Sequence, residues 1–140
     1  MNKPARVLFV CVENANRSQM AEAFARFHGG DGVIAASAGS RPSGRVNPKA
    51  IAAMAERGYD LATHQSKGLD DMRHGAWDRV ITMGCGDACP WVPAGRIADW
   101  AIADPRDLDT DGVRTVRDEI ERRVVSLLAE LGIPINRSTT

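Results

Sequence analysis

Continuous apolar runs alternate along this chain with stretches of helical periodicity. Residues 6–11, Arg-Val-Leu-Phe-Val-Cys, are apolar without alternation. That is the pattern of a strand covered on both faces, as in a parallel sheet. Met20, Phe24 and Phe27 then recur at helical spacing over 18–28, and Gly29-Gly30 ends the helix. Residues 33–38, Val-Ile-Ala-Ala-Ser-Ala, predict a second short strand, followed by a loop over 39–45. Asn47-Pro48 opens the next helix, Asn as cap and Pro at the first helical position. Gly58 stops it after about Arg57. Residues 78–83 predict a third strand, and residues 96–100 a weaker fourth within a long loop. Over 111–131, Val113, Val116, Ile120, Val124, Leu127, Leu128 and Leu131 form the apolar stripe of a final helix.

Strands that alternate with helices imply an α/β fold with a parallel sheet and right-handed crossovers. Ligands of such sheets sit beyond the carboxyl ends of the strands. Cys11 and Cys85 each follow a predicted strand, so both are expected on that rim. No repeat or linker divides the chain, and 140 residues suit one domain. Residues 1–135 are expected to form it, with 136–140 a frayed tail.

Composition narrows the function. At 44% hydrophobic the chain can bury a core, and 18 Lys plus Arg balance 18 Asp plus Glu. No basic excess suggests nucleic acid. No apolar run approaches a membrane span, and residues 7–12 are too short for a signal peptide, so a cytoplasmic location is expected. Three cysteines, Cys11, Cys85 and Cys89, argue in that setting for catalytic, redox or metal-binding use rather than a disulfide framework.

The chemistry centres on Cys11-Val12-Glu13-Asn14-Ala15-Asn16-Arg17-Ser18, a Cys-x5-Arg-Ser segment between the first strand and the first helix. Amides of a tight loop can converge there on one point. The helix N-terminus adds free N–H groups and its positive dipole end, and Arg17 adds a forked cation for a tetrahedral oxyanion. Val12, Glu13, Asn14, Ala15, Asn16, Arg17 and Ser18 are thus candidate oxyanion-binding residues. A thiol in such a field favours its thiolate, which makes Cys11 a candidate nucleophile. The Ser18 hydroxyl can donate to that sulfur, and Asn14 tolerates a left-handed backbone. Neither G-x4-G-K-[ST] nor G-x-G-x-x-G is present, which argues against nucleotide binding. In the late loop, Asp104-Pro105 offers a carboxyl group as general acid, with Asp99 and Asp107 as competitors.

Val7-Leu8-Phe9-Val10-Cys11-Val12-x-Asn14-x-x-Arg17-Ser18-Gln19-Met20-Ala21-Glu22 resembles the signature of low-molecular-weight tyrosine phosphatases and of their relatives, the thioredoxin-coupled arsenate reductases. Ser37-Ala38-Gly39, Asp104-Pro105 and Arg117-Asp118-Glu119-Ile120 fit the same family in order. The resemblance implies a three-layer α/β/α domain with a four-stranded parallel sheet. Gln19 after Ser18, where the phosphatases usually carry Pro, and the pair Cys85 and Cys89 select the reductase branch. So does Arg106 after Asp104-Pro105, in place of an aromatic residue. The implied mechanism is a relay. Cys11 attacks arsenate, Asp104 protonates the departing oxygen, Cys85 attacks Cys11 and frees arsenite, and Cys89 attacks Cys85. Thioredoxin or another thiol reductant then restores the thiols, with no bound cofactor. The expected protein is a monomer that meets an arsenate- or phosphate-like oxyanion and a thioredoxin-type partner, with no nucleic acid and no membrane.

This chain departs from the family pattern at three places. Only three residues separate Cys85 from Cys89. Glu13 stands where many relatives have Gly, and must point outward to avoid repelling an anion. Lys67 falls near where some members hold a monovalent cation, and its ammonium could replace that ion, so no metal is expected. The rivals are a tyrosine phosphatase using Cys11, Arg17 and Asp104, and a non-enzymatic oxyanion-binding sensor. A zinc site on Cys85, Cys89 and a histidine (His28, His64 or His74) lacks the usual ligand spacing. Asp107, Asp109 and Asp111 read as a solvated loop and helix cap rather than a calcium loop.

Overall fold

A computed structural model describes residues 3–69, 76–84 and 94–135. Its elements follow the predicted order: β1 (Ala5–Cys11), α1 (Arg17–Gly29), β2 (Val33–Gly39), α2 (Pro48–Ala55), β3 (Trp77–Thr82), β4 (Ala94–Asp99) and α3 (Thr110–Glu130). Single 3-10 turns occupy Gly30–Gly32 and Leu61–Thr63, which the hydrophobic pattern did not announce. The strands form one parallel sheet in the order β2-β1-β3-β4.

β1 is central, and its residues from Val7 to Val10 are at most 1% exposed. Alternate side chains of this strand enter two cores. Val7, Phe9 and Cys11 face the larger one, with Met20, Phe24, Met54, Ile120 and Leu128 from the helices. Leu8 and Val10 face the smaller one, with Ala38, Leu69, Trp77 and Val80. This two-sided burial is why the sequence of β1 shows no polar alternation.

The helix starts differ in a way that matters for the site. Asn47 caps α2 by accepting from the Lys49 amide at 2.8 Å, and Asp109 caps α3 by accepting from the Gly112 amide at 2.9 Å. α1 begins after Asn16, whose side chain makes no such bond. Its first amides keep their hydrogens for the loop in front of them. At the other end of the molecule, Arg117 is buried and donates to the Ala53 carbonyl and to Glu56, joining α3 to the end of α2. The hydrogen bonds from Arg114 and Arg117 pull the Glu56 carboxyl down to about 2.

Candidate active site

β1 ends at Cys11 and α1 begins at Arg17, and the five residues between them curl around a cavity of about 340 Å³. Its walls include Cys11, Glu13, Arg17, Arg41, Asp104 and Arg106. The loop is held by its carbonyl oxygens. Those of Cys11, Val12, Glu13 and Ala15 accept from the amides of Ser40, Arg41, Ser43 and Asn47, at 2.7–3.2 Å. The Asn14 carbonyl accepts from Gln19 Nε2 at 3.0 Å and the Asn16 carbonyl from the Met20 amide at 3.0 Å. With every carbonyl from Cys11 to Asn16 engaged, the loop amides, for which the described residues supply no acceptor, are left to the concave side. This is the arrangement that binds a tetrahedral anion.

Asn14 makes the turn possible. It has φ of 52°, the one positive value among described residues other than glycine. Its side chain works on both sides of the loop. Oδ1 accepts from the Lys67 amide at 2.9 Å, and Nδ2 donates to Ser18 Oγ at 2.8 Å. Ser18 Oγ therefore already accepts one hydrogen, and its own is free for Cys11 Sγ, 2.8 Å away. Gly39 lets the loop approach β2, because a Cβ there would lie 2.6 Å from the Val12 carbonyl oxygen.

Arg17 is 6% exposed and has three neighbours that aim it. Nη1 donates to the Ile102 carbonyl at 3.0 Å, and Nη2 is 3.6 Å from Asp104 Oδ2. On the third side lies Gly84, with φ of 79°, where a Cβ would collide with Nη1. Gly84 thus has a packing duty against Arg17. Gly84→Ala is expected to cost about 1–2 kcal/mol from the left-handed backbone alone. It also displaces the guanidinium, so kcat/KM falls about 10²-fold, as misplacement of a catalytic group does. Melting curves and steady-state kinetics on the variant measure the two losses separately.

Behind the loop, Gln19 ties Asn14 to the 59–65 segment. Its amide nitrogen also reaches the Gln65 carbonyl at 2.8 Å, and its Oε1 accepts from His64 Nδ1 at 2.9 Å. His64 Nε2 in turn accepts from the Tyr59 hydroxyl at 2.7 Å. Burial keeps the His64 imidazole below its ordinary value and the Tyr59 phenol above its own. Both thus stay neutral, which this pattern of donors and acceptors requires. The neutral imidazole is favoured by folding, so protonation below about pH 6.5 weakens the folded state, and the effect vanishes above that pH. Beside this chain, Glu22 is buried. It accepts from the Ser37 hydroxyl at 2.6 Å and lies 2.8 Å from Arg26 and 3.8 Å from Lys67 Nζ.

The remaining sequence candidates separate cleanly. Asp104 reaches the cavity. Asp99 accepts instead from the Thr82 hydroxyl at 2.6 Å, and Asp109 is a helix cap, as the sequence suggested. Glu13 points outward to Arg106, with 3.2 Å between Oε1 and Nη1. His28 meets Glu121 at 2.7 Å, far along α1 from the loop. Trp100 packs on Phe9, and Trp77 lies under Arg6. Cys85, Cys89 and His74 lie outside the described residues. Among the described residues, no cluster of three or more His, Cys, Asp or Glu could hold a metal. None of the described helices is long and apolar enough to cross a membrane.

A strand–loop–helix anion cradle with a buried sulfur and an arginine facing it defines a class: α/β proteins that attack tetrahedral oxyanions with a thiol. The profile of one family, low molecular weight phosphotyrosine protein phosphatase, matches residues 6–135, and the chain belongs to that family. Among its relatives is the "Glutaredoxin arsenate reductase" of Synechocystis sp., 39% identical over 129 residues, spanning 90% of this chain and 98% of that protein. A solved structure described as an arsenate reductase in the phosphate binding state superposes with a TM-score of 0.83 at 38% identity, over 90% of this chain and 98% of the other. A Corynebacterium glutamicum thioredoxin-dependent arsenate reductase gives 0.77 at 34% identity, over 94% of this chain and 64% of that one.

Proposed function

We infer that this protein is an arsenate reductase, returning arsenate as arsenite at the expense of a thiol reductant. The observation that carries the reading is the Cys11 sulfur itself. It is hydrogen-bonded to Ser18 and lines one cavity with Arg17 and Asp104, in front of amides whose carbonyls are all turned away. Two features tip the choice from phosphatase to reductase. Two relatives that each match more than four-fifths of the chain carry arsenate reductase in their names. The described cavity wall holds three arginines and no aromatic ring to receive a tyrosyl group.

In the proposed mechanism the loop amides and Arg17 hold arsenate. Cys11 Sγ forms a bond to arsenic while one arsenate oxygen leaves as water, protonated by Asp104. Cys85 then attacks Cys11 Sγ. The sulfur–arsenic bond breaks, its electron pair stays with arsenic, and arsenite departs. The two electrons come from the two thiols, which remain as a Cys11–Cys85 disulfide. Cys89 displaces Cys11 from Cys85 and leaves a Cys85–Cys89 disulfide for the external reductant. Cys85 follows Gly84 directly in the chain, and Gly84 packs on Arg17, which supports its reach to the cavity.

The donor is assigned as thioredoxin. Two thiols beyond Cys11 let the chain present an internal disulfide to a dithiol protein. A monothiol system attacking Cys11 directly would need neither. A relay that must start from reduced thiols fits a reducing compartment such as the cytoplasm. Residues 1–135 act as one catalytic domain and as a monomer. No resident metal is assigned, since the Lys67 ammonium supplies positive charge beside Glu22.

The test is arsenate-dependent NADPH oxidation by the purified chain, supplied in turn with thioredoxin and its reductase or with glutathione and glutaredoxin. Turnover is expected with the first pair and at least about tenfold less with the second. Fast hydrolysis of p-nitrophenyl phosphate with no arsenate-dependent oxidation makes the protein a phosphatase. Arsenate binding with neither activity makes it a sensor.

A further inference from the structure

Two charges that the mechanism does not use stand at the opening of the cavity. Glu13 lies in the loop, two residues after Cys11, and Arg106 lies two residues after Asp104. Their side chains meet at 3.2 Å although 93 residues separate them in the chain. Both line the cavity that holds Cys11 and Arg17. With 36% and 56% of their side chains exposed, they are at its mouth rather than its floor.

The surroundings show that Arg106 is held for this contact. Its amide donates to Asp104 Oδ1 at 3.0 Å. Lys49 Nζ is 3.4 Å from its carbonyl oxygen and 2.9 Å from that of Leu108. The backbone is thus tethered on both sides, and the guanidinium spans the gap to Glu13. The signs matter as well. An unpaired carboxylate in this loop would repel the anion that the amides attract. Pairing with Arg106 cancels it, so that Arg17 and Arg41 outweigh the one remaining carboxyl of the described wall, Asp104, and keep the cavity positive.

We propose that Glu13 and Arg106 form a charged bar across the mouth that makes the site select small free oxyanions and reject aryl phosphate esters. This specificity role rests on the reductase reading above. A free tetrahedral oxyanion passes beneath the bar and is held by amides and Arg17 alone. An aryl ester must leave its ring at the mouth. There the ring meets an ion pair whose separation and desolvation are unfavourable. No described residue of the wall is aromatic to offset that cost. Partial exposure makes the pair weak as a stabiliser, so its loss changes selectivity and leaves the fold intact.

The test compares Glu13→Ala, Arg106→Ala and the double variant, using two readouts: arsenate reduction, and p-nitrophenyl phosphate hydrolysis. Arg106→Ala bares Glu13, and KM for arsenate is expected to rise about tenfold with kcat changed far less. The double variant removes the bared charge and recovers most of that KM. Glu13→Ala and the double variant each raise kcat/KM for the aryl ester about tenfold. A merely structural pair would depress both activities together and show no recovery in the double variant. Unchanged selectivity in all three, or parallel losses of both activities, overturns the bar. If wild type fails to reduce arsenate, the reductase reading is lost. The ester arm and inhibition by inorganic phosphate then still decide the bar.

Discussion

Cys11→Ser should abolish arsenate reduction, lowering turnover on the order of 10⁴-fold or more, while the protein still folds and still binds phosphate. Loss of a nucleophile removes the whole covalent route rather than one increment of it. A serine hydroxyl is close to a thiol in size, so the core that buries residue 11 is kept. The cradle is kept too, because it consists of amides held by the carbonyl bonds to Ser40, Arg41, Ser43 and Asn47, none of which involves the sulfur. The hydroxyl cannot replace sulfur, however, as the atom on which Cys85 must later act. Phosphate binding by calorimetry and coupled NADPH oxidation report the two properties side by side. Retained binding with lost turnover fits the mechanism; residual turnover above about one per cent of wild type sinks it.

That experiment separates what a sequence displays from what only a fold assembles. The central strand was visible because β1 is covered on both sides and so carries no polar alternation. The caps of α2 and α3 were visible because Asn47 and Asp109 act on amides two and three residues away. The Cys-x5-Arg loop was visible for the same reason: its function is compressed into eight consecutive residues. Even the left-handed Asn14 follows from residue type. The supports of the loop lie at longer range. His64 acts through Gln19, 45 residues earlier, and neither looks distinctive in its own neighbourhood. Gly84 resembles any loop glycine until Arg17 is found against it, and the carbonyl anchors come from four residues on the far side of β2. Helical and strand periodicity report which face of a local segment is buried. They do not report which distant segment covers it. Glu13 shows the point most clearly. Its sequence context gives only a carboxylate beside an anion site, a conflict that the structure resolves with Arg106.

Cys85→Ser and Cys89→Ser should both stop multiple turnover with thioredoxin, but at different points of the cycle. In Cys85→Ser the first bond can form, since Cys11, Arg17 and Asp104 are untouched. Nothing internal then attacks Cys11, so the sulfur–arsenic adduct persists and arsenite release falls at least about 10²-fold, the penalty for replacing an intramolecular step by collision with an external thiol. In Cys89→Ser, by contrast, Cys85 completes its attack. One equivalent of arsenite leaves per protein molecule, and the reaction then halts with Cys11 and Cys85 joined. Rapid mixing of excess protein with arsenate, followed by acid trapping and mass analysis, distinguishes these end states: an arsenic adduct in one case, loss of two hydrogens in the other. The contrast also decides the donor. A reductant able to open the Cys11–Cys85 disulfide directly would sustain full turnover in Cys89→Ser, and the third thiol would be unnecessary. Full turnover in Cys85→Ser would exclude this relay, because arsenite would then be released by a thiol other than Cys85.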